Sequence, residues 1–70
     1  MNRQTARATI AALMTSAAEL AADVAGNLSE AAAAGQDSRM AIGCAMRAEE
    51  QLAAVAHMLA AARALNRETP

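Results

Sequence analysis

Seventy residues with a formal net charge of −1 and 56% hydrophobic content, but no Phe, Trp or Tyr, make one domain at most. A single cysteine excludes an internal disulfide and suits a reducing compartment. Glu19, Asp23, Glu49, Glu50 and Arg63 interrupt every apolar run of membrane-spanning length, so the expectation is a cytoplasmic chain with no membrane partner.

Residues 1–18 carry Arg3 and Arg7, contain no acid and end in Ser16-Ala17-Ala18, the outline of a leader peptide. The apolar centre at Ile10–Met14 is short and flanked by Thr9, Thr15 and Ser16, which favours the first turns of a helix instead. Ile10, Leu13, Ala17, Leu20, Val24 and Ala31 then form a seven-residue repeat of the kind found in coiled coils and bundles. Met14, Ala21 and Leu28 broaden that stripe. Gly26 weakens a helix by about 1 kcal/mol relative to alanine, and Asn27 with Glu30 could cap a fresh start. The seam resumes in step at Leu28 and Ala31, so the spacing favours one continuous helix over about 3–34.

Gly35 to Asp37 is the turn. Gly35 suits the left-handed residue that ends a helix, and Asp37 or Ser38 can cap the next. The turn lies at the midpoint of the chain, which predicts an all-α antiparallel hairpin with arms about 45 Å long. The second helix is expected over about 38–67, with the rest of 66–70 a frayed tail. Its predicted seam is Ala41, Ala45, Ala48, Leu52, Val55, Leu59 and Ala62, flanked by Cys44, Met58 and Leu65. Glu49, Glu50, His57 and Arg63 face away. Folding about residue 36 sets Leu20 near Leu52, Leu13 near Leu59 and Leu28 near Cys44, which places the two pairs of leucines in the central layers.

Catalytic chemistry is poorly served. There is one His, one Cys, no Tyr and no Lys. Cys44 and His57 are thirteen residues apart on one helix, about 20 Å along its axis. Glu49 and Glu50 are adjacent and point in different directions, and there is no glycine-rich phosphate loop. The reading is of a non-enzyme with no cofactor. Met40, Cys44 and Met46 offer soft sulfur ligands for copper(I), but Glu-x-x-His and Cys-x-x-Cys are both missing, so a soft-metal carrier ranks third.

Surfaces say more. Met14, Leu28, Met40, Ile42 and Met46 are not absorbed by a two-helix seam, and such a patch usually marks an interface. Its expected occupant is a second copy, completing a four-helix bundle, with an amphipathic partner helix as the alternative. The hairpin also gathers Arg3, Arg7, Arg63 and Arg67 at one end, an anion-binding candidate. The residues therefore point to a small intracellular interaction or regulatory protein acting as a homodimer. A nucleic-acid-binding hairpin using its arginine end is the alternative. No motif ties the chain to a family, and the likeness to small dimerising helical hairpins is one of fold alone.

Overall fold

Asn2 opens the first helix, its Oδ1 accepting from the Thr5 backbone N–H at 2.8 Å in a computed structural model that describes residues 2–69. Helix α1 runs Arg3–Ala33 without a break at Gly26. Two of its threonines are accommodated by bonding back one turn, Thr9 Oγ1 to the Thr5 carbonyl and Thr15 Oγ1 to the Ala11 carbonyl. Ala34 N–H donates to the Glu30 carbonyl at 2.9 Å, and Gly35 then turns the chain with φ at 60°. That left-handed conformation is open to glycine at little cost. Asp37 caps the second helix, its Oδ1 accepting from Met40 N–H at 3.1 Å. Helix α2 runs Ser38–Glu68, so the expected tail at 66–70 is helical through Glu68; Pro70 lies outside the described residues.

The two helices pack side by side into a rod of 52 × 14 × 11 Å. Its radius of gyration is 15.9 Å, against about 11 Å for a compact domain of this length. The buried residues are correspondingly few and small: Ala6, Ala17 and Val24 from α1 against Cys44, Ala48 and Ala62 from α2. Alanine at so many seam positions lets the helix axes approach closely while burying little area.

On α1 the buried and half-buried residues include Ile10, Leu13, Ala17, Leu20, Val24 and Ala31, the row its periodicity predicts, together with Asn27. On α2 the expected row needs correcting. Leu52 and Leu59 are exposed by 51% and 41%, and the helix turns Cys44, Gln51, Met58 and Leu65 inward with Ala48, Val55 and Ala62. The two candidate rows share Ala48, Val55 and Ala62 and differ by one residue at the alternate positions, which turns the facing of the helix by about 50°, and both keep alternating steps of three and four. Polar pairing favours the inward glutamine. Asn27 Nδ2 donates to Gln51 Oε1 across the seam at 2.7 Å. Leucine there would leave a half-buried amide without that partner, which is costly. The expected pairing of Leu28 with Cys44 fails for the same reason: Leu28 is half exposed, and the Cys44 thiol points to Glu30.

By length and composition α1 is apolar enough to cross a membrane, with an 18-residue window of mean hydropathy 1.3. A reading that demands runs free of charge passes over it. Alanine raises the mean there, and 11% of the window is buried in the hairpin.

Candidate interaction surfaces

The rod has two long edges of opposite character. A groove of about 340 Å³ on one edge is lined by Met14, Ala56, Leu59 and Arg63. Leu28 lies two heptads beyond Met14 on α1, and Leu52 one heptad before Leu59 on α2, so helical repetition places both on this edge too. All four large side chains are between 41% and 51% exposed. They form an apolar strip with no counterpart inside the hairpin.

The opposite edge is polar. A groove of about 370 Å³ there is lined by Asp23, Gly26, Asn27, Glu30, Arg47 and Gln51 with Ala22. Beside the Asn27–Gln51 bond, the Cys44 thiol donates to Glu30 Oε2 at 3.8 Å, and Arg47 Nη2 donates to the Cys44 sulfur at 3.8 Å. The Asn27–Gln51 and Cys44–Glu30 links join α1 to α2 and fix how the helices are rotated, while Arg47 braces Cys44 within α2. Sequence reasoning misses this group because Asn27 reads locally as a helix cap and Arg47 belongs to no pattern of its own. The available signal is a polar residue at a seam position in each helix.

The third surface is at the chain ends, where a cleft of about 500 Å³ is lined by Arg3, Ala6, Arg7, Ile10, Leu65, Asn66 and Thr69. Of the four arginines expected there, Arg3 and Arg7 line the cleft. Arg63 lines the apolar groove instead, and Arg67 is exposed in the last turn of α2.

Among the apolar interface candidates, Met14, Leu28, Met40, Ile42 and Met46 are all exposed. Met14 and Leu28 belong to the apolar edge, Ile42 lies two heptads before Ala56 on a row that lines it, and Met46 sits beside it on the outer side of α2. Met40 falls one heptad before Arg47, on the polar edge. Of the sulfur ligands, Met40 and Met46 are exposed, whereas Cys44 is only 1% exposed and faces Glu30. No group of three or more His, Cys, Asp or Glu with metal-holding geometry occurs among the described residues. His57 is exposed on the outside of α2, with no cysteine beside it.

No protein-family model matches the chain, and neither the curated proteins nor the solved structures searched contain a match to it.

Proposed function

We propose that this protein is a non-catalytic interaction module whose working unit is a homodimer, two hairpins joined along their apolar edges into a four-helix bundle. The observation that carries this reading is the inversion between inside and outside. Among the described residues the hairpin buries four alanines, one valine and one cysteine, while Met14, Leu28, Leu52 and Leu59 stay exposed along one edge. The accessible surface supports it. At 5032 Å² it exceeds the roughly 4,100 Å² expected of a folded monomer of this mass. The expected result of sedimentation equilibrium at micromolar concentration is a dimer mass. A cooperatively folded monomer across that range would refute the homodimer.

The alternative reading, binding of a nucleic acid at the chain ends, is supported by the cleft that Arg3 and Arg7 line. Its signature is affinity that falls steeply with salt, because each neutralised phosphate releases a counterion. Retention of affinity at high salt would remove it.

A further inference from the structure

Along the apolar edge of α2, residues three and four apart read Glu49, Leu52, Ala56, Leu59 and Arg63. Its two charged positions are placed symmetrically about Ala56. Glu49 lies seven residues before Ala56 and Arg63 seven after it, each about 10.5 Å along the axis. They are the only two charges on this strip between Ile42 and Asn66, they are of opposite sign, and both are exposed. The leucines stand four residues before and three after the same alanine. The matching strip of α1, through Ala11, Met14, Ala18, Ala21 and Ala25, carries no charge between Arg7 at the chain end and Leu28, and is exposed over those residues.

From this pattern we infer that the second copy docks antiparallel, with α2 on α2 and a two-fold axis passing Ala56, so that each Glu49 meets Arg63 of the other copy. The inference rests on the homodimer reading and specifies its geometry. Around that axis Leu52 falls within one residue's rise of the partner's Leu59, which closes an apolar layer on either side of the two alanines. Small side chains at the axis let the backbones come close. Counting twelve residues back along α1 and twelve forward along α2 from the Glu30–Cys44 hydrogen bond reaches Ala18 and Ala56. The same axis therefore passes Ala18, the middle of the uncharged α1 strip, and sets Met14 against the partner's Ala21–Ala22. An isologous interface of this kind needs a surface complementary to itself under rotation, and opposite charges equidistant from the centre supply that. With the two turns at the same end, α2 would instead lie on α1 of the other copy, and Glu49 and Arg63 would face alanine.

Charge exchange tests the geometry. Glu49→Arg and Arg63→Glu each set like charges opposite one another twice per dimer, and each is expected to weaken association about tenfold or more at low salt. The double variant Glu49→Arg/Arg63→Glu restores the complementarity and is expected to recover most of the wild-type affinity. Both positions are exposed in the hairpin, and helix content by circular dichroism checks that each variant keeps its fold. In Ala56→Cys, a short bis-maleimide is expected to link two copies through the axis, while the wild-type chain, whose Cys44 is buried, stays unlinked. If the wild type dimerises but single swaps leave the affinity unchanged, or the double variant stays as weak as the singles, this arrangement is overturned and the homodimer stands. A wild type that is monomeric in sedimentation overturns the homodimer reading and this geometry with it.

Discussion

Asn27 and Gln51, 24 positions apart in the chain, meet side chain to side chain at 2.7 Å inside an otherwise apolar seam. The bond ties the rotation of α2 to that of α1, because a turn that brought Leu52 inward would carry Gln51 away. Replacing Asn27 by Ala is expected to destabilise the hairpin by about 1 kcal/mol in urea melts, since Gln51 loses its partner. Replacing both by Leu is expected to leave the stability equal or higher. A loss on the double change larger than on the single one would show that the pair does more than satisfy itself.

Gly26 and Gly35 are expected to respond to alanine with opposite signs. A Cβ at either position meets nothing within 4 Å, so conformation decides. Gly26 lies in the middle of α1, where alanine is expected to stabilise by about 0.5–1 kcal/mol. Gly35 has φ at 60°, where alanine is expected to cost about 1–2 kcal/mol. Thermal melts of the two variants, moving in opposite directions from the parent, check both.

Val24 and Leu52 separate the fold from the interface. Val24 is buried within the hairpin, so Val24→Ala is expected to cost about 1–3 kcal/mol at every protein concentration. Leu52 is half exposed, so Leu52→Ala is expected to lower the melting temperature chiefly where the wild type is dimeric. His57→Ala, on the outer face, is expected to stay within about 0.5 kcal/mol. A concentration-independent loss at Leu52 as large as that at Val24 would contradict the facing seen here.

Arg7 is expected to matter for an anionic partner and little for the fold. Changing Arg7 to Gln removes positive charge near a helix N-terminus and breaks up a like-charge pair four residues apart. The hairpin is therefore expected to stay folded, or to gain about 0.5–1 kcal/mol. Any nucleic-acid affinity is expected to fall, with its salt slope flattened by about one unit for each phosphate no longer neutralised. Unchanged binding at low salt would leave the chain-end cleft without that role.

Local physics makes part of this architecture legible in the sequence. Helix propensity, the Gly35 turn and the Asp37 cap act over a few residues, so two helices of about thirty residues can be read without knowing how they meet. The α1 row is legible too, because Ile10, Leu13, Leu20 and Val24 concentrate its large side chains on one face. Of the surface, Met40, Ile42 and Met46 can be read as exposed, since they lie off the apolar rows of their helices, whereas Leu28 is drawn toward Cys44 by simple folding about the turn.

The facing of α2 is decided only in the tertiary structure. Two rows one residue apart, Ala45–Leu52–Leu59 and Cys44–Gln51–Met58–Leu65, satisfy the same period, and hydrophobicity alone selects the leucines. Packing selects the other row, because Gln51 answers Asn27 and the Cys44 thiol answers Glu30 across the seam. A hydrogen bond between residues far apart in sequence leaves no trace in periodicity. Its consequence is that Leu52 and Leu59 are turned outward, and the apolar edge exists because a polar pair holds the inside.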